Sequence, residues 1–311
     1  MSRIYTIGET VLDLIFENHT LRQAVPGGAM LNTAVSLGRL KLPVALISEW
    51  GKDVAGQLIA DFLIRQQVDI QLVHVFEQGK TALSLASLDA AGHASYTFYK
   101  DYPSQRLKIT PPDFQPGDVV LFGSYFALDP AIRTPLVALL RQARQQQALL
   151  IYDPNIRKNH SDELEELLPD LQENFNLAHI VRGSHEDFLH LLGTHDPYEV
   201  FQTSIQWGCD HLIMTHAEGE IIFRKPMVST SIEAYPAQIV STIGAGDTFN
   251  AGLIYALYTR GISAANYRDM PSCEWGDILS VASAFAANAC ESYENYISEA
   301  FARQILHSNT Q

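Results

Sequence analysis

Short β-branched or apolar runs alternate with amphipathic stretches along this chain, and that alternation narrows the fold to an α/β architecture: a mostly parallel sheet covered by helices. The pattern predicts core strands at Ile4–Gly8, Val44–Ser48, Ile70–Val75, Val119–Phe122, Leu149–Asp153, His179–Arg182 and His211–Thr215. Helices are expected between them at Met30–Leu40, Val54–Gln66, Pro130–Gln147, Asp162–Asn174, His185–Leu192 and Pro197–Trp207. A hairpin around Glu218–Val228 is followed by predicted helices Ala245–Thr259, Glu274–Ala289 and Ser298–Leu306. With 311 residues, 47% of them hydrophobic, the chain can bury a substantial core. No repeat, low-complexity linker or composition break divides it, so one domain over residues 1–311 is expected.

Two segments depart from the βα rhythm. Val11–Phe16 with Leu21–Val25, and Leu83–Asp89 with Ser95–Lys100, read as hairpins, the second turning at Ala90-Ala91-Gly92. They predict a small separate sheet from about residues 11–25 and 81–101; edge strands of the main sheet are the other reading.

A formal net charge of −14 argues against nucleic acid or an anionic membrane surface as a principal partner, since both need a basic face. Cys209, Cys273 and Cys290 are far apart and lack C-x-x-C spacing, so neither a disulfide framework nor a zinc site is indicated. The N-terminus runs straight into a strand, and no run of about 18 apolar residues occurs, so a cytoplasmic location is expected. The pairs His185/His190 and His211/His216 are five apart, a spacing that does not stack two rings on one helical face, so no histidine metal site is expected.

The run Ser241-Thr242-Ile243-Gly244-Ala245-Gly246-Asp247-Thr248-Phe249-Asn250-Ala251-Gly252 sets a carboxylate behind a small-residue loop that opens an apolar helix. Free amides of Gly244, Ala245 and Gly246 at a helix N-terminus suit a phosphate group, and Asp247 would lie within reach of an acceptor hydroxyl. That combination suits phosphoryl transfer: a base for the hydroxyl proton and donors for charge on the equatorial oxygens. Taken alone, the segment reads more readily as an ordinary Gly-rich helix start with Asp as a capping or first-turn residue. No G-x-x-x-x-G-K-[ST] string occurs, and Phe249 stands where a dinucleotide fingerprint needs its third glycine.

Three further places carry polar chemistry at predicted strand ends. Asp13 follows the first strand, where open α/β sheets bind ligands, and a carboxylate there can accept from two sugar hydroxyls; it also reads as a turn residue. Pro26-Gly27-Gly28-Ala29-Met30-Leu31-Asn32 gives a close backbone approach, then Asn32 in a helical first turn, able to donate and accept at once or to face solvent. Tyr152-Asp153-Pro154-Asn155-Ile156-Arg157 closes a strand with groups that can face an anion or a polyol.

Taken in order, Asp13, Gly28 with Asn32, Asp153-Pro154-Asn155-Ile156-Arg157 and the Gly244–Asp247 loop resemble the ribokinase-like (PfkB) carbohydrate kinase family across essentially the whole chain. The resemblance implies a three-layer α/β/α fold with a mostly parallel central sheet and a β-lid that covers the sugar and, in many members, packs against a second subunit. It implies Asp247 as catalytic base, the amides of Gly244, Ala245 and Gly246 as anion hole, and Asp13, Gly28, Asn32, Tyr99, Lys100, Asn155 and Arg157 as sugar-binding residues. ATP and Mg²⁺ follow from the same resemblance. The family's N-x-x-E motif falls at Ser184-His185-Glu186-Asp187, so Ser184 takes the Asn position and Asp187 would hold Mg²⁺ through water. Thr215 and Gly219 fall at the T-x-G-x-x-G of the ATP site, with Ala217 at a usual Gly, and Asn288 lies at the adenine side. Members that use K⁺ commonly carry Asp at the place of Ser241, which leaves monovalent-cation use open.

D-P-N-x-R is typical of the fructokinase and 2-keto-3-deoxygluconate kinase branches. In Tyr96-Thr97-Phe98-Tyr99-Lys100, Lys100 stands where those branches usually carry Arg, and a point charge loses bidentate recognition of a carboxylate. This favours a neutral ketose such as fructose. The alternatives are 2-keto-3-deoxygluconate, with Arg157 pairing its carboxylate, and a catalytically silent sugar-binding protein, suggested by Ser184, Asp187, Ala217 and Ser241.

Overall fold

The computed structural model describes residues 2–17, 19–88, 94–156, 164–216 and 219–308. Its main sheet contains β1 (Ile4–Ile7), β4 (Val44–Gly51), β5 (Val73–Phe76), β8 (Val119–Gly123), β9 (Leu149–Asp153), β10 (Ile180–Ser184), β11 (Leu212–Thr215), β12 (Glu220–Lys225) and β13 (Val228–Glu233). The order across the sheet is β13-β12-β11-β10-β9-β8-β1-β4-β5. All neighbours run parallel except β11 with β12 and β12 with β13, the late hairpin.

Alternation within the strands explains the layers. Val119 and Leu121 of β8 face one core cluster, Val120 and Phe122 the other, and β9 repeats the pattern with Leu149 and Ile151 against Leu150 and Tyr152. The first cluster is completed by α1 (Ala29–Arg39), α2 (Val54–Arg65), α7 (Ala245–Thr259), α8 (Ser272–Cys290) and α9 (Glu299–Ser308). The second is completed by α3 (Pro130–Gln145), α4 (Leu164–Leu177), α5 (His185–Leu192) and α6 (Pro197–Gln206). Both faces of the strands are therefore apolar, as a doubly covered parallel sheet requires.

The two irregular segments form the expected separate sheet. Its strands β2 (Val11–Glu17), β3 (Thr20–Gly27), β6 (Lys80–Leu88) and β7 (Ala94–Asp101) lie in the order β3-β2-β6-β7. The predicted turn at Ala90-Ala91-Gly92 and the predicted start of α4 at Asp162 lie outside the described residues. One strand is shorter than its apolar run: β5 begins at Val73, not Ile70, because Asp69 Oδ1 accepts from the Gln71 amide (2.9 Å) and Val73 N–H closes a turn onto Ile70 (3.1 Å).

The C-terminal ends of β1, β9, β10 and β11 share one edge with the N-termini of α1, α5 and α7, where open parallel sheets bind ligands. The depth of α7 is set by Gly252, since a Cβ there would lie 2.7 Å from the Ala282 Cα of α8. Gly252→Val is expected to lose about 1–3 kcal/mol through overpacking. A urea midpoint equal to that of the parent chain would mean that α7 and α8 can separate freely.

His179 couples the core to pH. Its Nδ1 accepts the Leu150 amide (2.9 Å), so the ring must be neutral, and burial, assisted by Arg144 and Arg268, lowers its pKa from 6.5 to about 4. The unfolded chain therefore takes the proton first. Stability from this residue is whole above pH 6.5 and declines toward pH 4, by about 3 kcal/mol over the window. His179→Asn, whose Oδ1 can replace the acceptor, should show a shallower fall of urea midpoint than the parent; parallel curves would remove His179 as the cause.

Candidate active site

The N-terminus of α7 is built by a glycine in a conformation other residues avoid. Gly244 caps the helix at φ 82°, and a Cβ there would lie 2.6 Å from the Asn295 backbone. The first intrahelical bond runs from Thr248 N–H to the Gly244 carbonyl (2.9 Å), so the Gly246 and Asp247 amides lie ahead of the helical ladder. The Ala245 amide behaves differently from expectation, because the preceding turn directs it to the Thr242 carbonyl at 3.3 Å.

Asp247 is 8% exposed and is gripped by α1. Asn32 Nδ2 donates to Asp247 Oδ2 (2.8 Å), and Thr33 Oγ1 donates to the Asp247 carbonyl (2.8 Å). Asn32 Oδ1 is buried without a protein partner, which leaves an acceptor for a ligand hydroxyl beside the carboxylate. Gly28 opens α1 at φ 130°, and a Cβ there would collide with the Glu9 carbonyl.

Asp13 stands one strand later than the edge of the main sheet, in β2 opposite Val25, with its carboxylate over Gly27, where a Cβ would overlap it. Tyr99 is 55% exposed on β7. Lys100 is ion-paired with Glu9 Oε1 (2.6 Å), and Tyr102 donates its hydroxyl to the same oxygen (2.5 Å). Burial, with Glu9 adding to it, pushes the Tyr102 phenol well up, so it remains a donor. Asn155 takes φ 41° while its amide donates to Asp153 Oδ1 (3.1 Å); Arg157 lies outside the described residues.

At the end of β10, Ser184 and Asp187 form a reciprocal capping box at the start of α5. Asp187 Oδ2 accepts from the Ser184 amide (2.7 Å) and hydroxyl (2.6 Å), and Oδ1 accepts from the Ile156 amide (3.0 Å). Thr215 Oγ1 accepts from Arg182 Nη2 (2.8 Å), and the Gly219 carbonyl accepts from Ala234 (3.2 Å). Asn288 Oδ1 accepts from the Ser298 amide (2.8 Å) at the start of α9, and Ser241 Oγ accepts from Ile243 (3.2 Å). His185 stacks on His216 with ring centroids 4.0 Å apart, a pairing that joins the residues following Ser184 and Thr215 rather than either five-apart pair.

Three participants escape a motif-based reading. Thr33 was hidden beside Asn32. Asn250, one helical turn beyond Asp247, donates to Asp153 Oδ2 (2.5 Å). Arg182 Nη1 donates to the same Asp153 oxygen (3.0 Å), and a Cβ on Gly246 would lie 2.9 Å from that nitrogen. Burial pushes the Asp153 carboxyl up while Arg182 pulls it back. A cation in the otherwise apolar run Ile180-Val181-Arg182-Gly183 was the available signal.

The chain is similar in sequence and fold to known proteins. The chain is 26% identical over 265 residues to fructokinase from Salmonella typhimurium, covering 84% of this chain and 86% of that one. It is 27% identical over 305 residues to aminoimidazole riboside kinase from Salmonella typhimurium strain LT2, covering 93% and 88%. It superposes with TM-score 0.81 on fructokinase from Vibrio cholerae O395 in its fructose, ADP and calcium ion bound form, at 25% identity over 98% of this chain and 99% of the other. The sequence pattern described as pfkB family carbohydrate kinase matches residues 1–299, and the chain accordingly belongs to the PfkB family and is a sugar kinase of ribokinase-like fold.

Proposed function

We propose that this kinase transfers the γ-phosphate of ATP to a terminal hydroxyl of a neutral ketose, with fructose as the substrate the site suits best. The Lys100–Glu9 ion pair carries the choice of sugar. The lid cation that would meet an acid carboxylate is already neutralised by a carboxylate beside β1, so a keto-acid would have to displace Glu9. The fructokinases among its relatives support the same substrate.

In this reading the sugar hydroxyl lies between Asp13, Asn32 Oδ1 and Asp247. Its proton passes to the Asp247 carboxylate as its oxygen bonds to the γ-phosphorus. The bond from phosphorus to the β–γ bridging oxygen breaks, ADP leaves, and the loop amides hold charge on the equatorial oxygens. Mg²⁺, when bound with the nucleotide, would supply neutralisation of phosphate charge. Asp187 suits an outer role toward it: its two oxygens already accept three hydrogen bonds, leaving room for a metal-bound water. Ser184, Thr215, Gly219 and Asn288 would border the nucleotide.

Asp247→Asn should fold normally and lose roughly 100- to 10,000-fold in kcat, measured as ADP release with fructose, ribose, tagatose and 2-keto-3-deoxygluconate. Turnover on the keto-acid alone would overturn the neutral-sugar reading, and silence on all four would favour a sugar-binding protein. Asn32→Leu removes a hydrogen bond to a charged group, and kcat/KM for the sugar should fall roughly 10- to 100-fold. An unchanged value would mean that Asp247 is oriented without α1.

A further inference from the structure

Base catalysis by Asp247 and an amide-lined anion hole leave one buried cation at this site without a role. Arg182 is 5% exposed, and its guanidinium lies against Gly246, at the start of α7. A helix N-terminus carries partial positive charge, so a cation there is held against the dipole. An ion pair needed only for packing gains nothing from that position. Its counter-ion is also shared, because Asp153 accepts from Asn250 Nδ2 and the Asn155 amide as well as from Arg182 Nη1. Arg182 Nε is buried with no protein partner, and the guanidinium carbon lies 5.1 Å from the Phe249 ring centroid. Nη2 is bonded to Thr215, on the strand whose end borders the nucleotide side of the cleft.

We propose that Arg182 supplies fixed positive charge, from directly behind Gly246, to the phosphoryl group during transfer, with Asp153 and Thr215 holding its planar fork in place. The inference rests on reading the start of α7, with the Gly246 amide ahead of its helical ladder, as the anion hole. Arg182 makes and breaks no covalent bond: the hydroxyl proton goes to Asp247, the phosphoryl group to the sugar oxygen, and the bridging electron pair to ADP. Arg182 offsets the negative charge on the equatorial oxygens as the O–P bonds exchange, in a site where low dielectric strengthens each fixed charge. Thr215 anchors the fork.

The competing account makes Arg182 the neutralising partner of Asp153 and nothing more, and paired variants separate the two. Arg182→Gln, Arg182→Lys and the double variant Asp153→Asn/Arg182→Gln are compared with Asp247→Asn. Assays use ATP with fructose or whichever sugar of the panel turns over; circular dichroism and sugar binding measured without ATP serve as controls. The double variant removes both buried charges, so no orphaned carboxylate remains to unfold the chain. Expected are a fall in kcat of at least about 100-fold in Arg182→Gln, partial recovery in Arg182→Lys, and sugar binding within about threefold of the parent throughout. The double variant should be folded and as slow as Arg182→Gln. Recovery of kcat in the double variant to within about fivefold of the parent, with Asp247→Asn inactive, would overturn the role of Arg182 alone. Near-normal turnover in Asp247→Asn would remove the anion-hole reading and this proposal with it.

Discussion

The contact on which the site depends is the hydrogen bond from Asn32 to Asp247, which joins residues 215 positions apart. A carboxylate at the start of a helix already gains from the dipole, but its direction is unspecified until something fixes it. Here α1 fixes both ends of the residue, Asn32 holding the carboxylate and Thr33 the carbonyl. The geometry of the Asp247 carboxylate therefore depends on the packing of α1 against α7, and through Gly252 on that of α7 against α8. Each of these helices lies on the same face of the sheet and shares one apolar cluster. Core packing and site geometry are thus one property of this face.

The lid is tied to the core by charge instead. Glu49, buried on β4, accepts from Arg106 Nε (2.5 Å) and the Leu107 amide (2.7 Å). Arg106 also pairs with Asp129 (2.5 Å) and lies 3.6 Å over the Tyr102 ring. Tyr102 reaches Glu9, and Glu9 reaches Lys100 of β7. Buried ion pairs add little net stability, yet breaking one leaves a charge that is costly to bury. Such a chain specifies one geometry for the exit of the small sheet without making it the main source of stability.

How much of this was legible in the sequence follows from the range of each interaction. Strand and helix periodicity is local, so α5, α7 and β9 were bounded to the residue, and the lid hairpins stood out because alternation replaced the βα rhythm. The start of β5 was misread because a side-chain turn at Asp69 overrides the apolar run that follows. Asp247, Asn32 and Gly28 were legible because glycine and the residues after it must satisfy backbone geometry wherever a loop opens a helix. Arg182 and Asn250 were not, since an Arg in a strand and an Asn in a helix acquire meaning only when Asp153 is brought between them. Lys100 was identified, but its neutralisation by Glu9 joins residues 91 apart and no local pattern encodes it.

That neutralisation also bears on how a chain of net charge −14 can hold a polyanion. Screening over roughly 8–10 Å means that distant surface carboxylates contribute little at the cleft, whereas charges within a few ångströms and out of water contribute fully. At the edge where β9, β10 and β11 end, the positive elements among the described residues include the N-termini of α5 and α7 and the guanidinium of Arg182. The carboxylates described there each accept hydrogen bonds, Asp153 from Arg182 and Asn250, Asp187 from Ser184 and Ile156, and Asp247 from Asn32. Oriented amides and the buried guanidinium therefore offset part of the negative charge of these carboxylates locally. On the small sheet, Lys100 is paired with Glu9 and so adds no net charge beside β1. Under the proposed function, a neutral sugar would find the unpartnered Asn32 Oδ1 as an acceptor without having to displace Glu9 from Lys100.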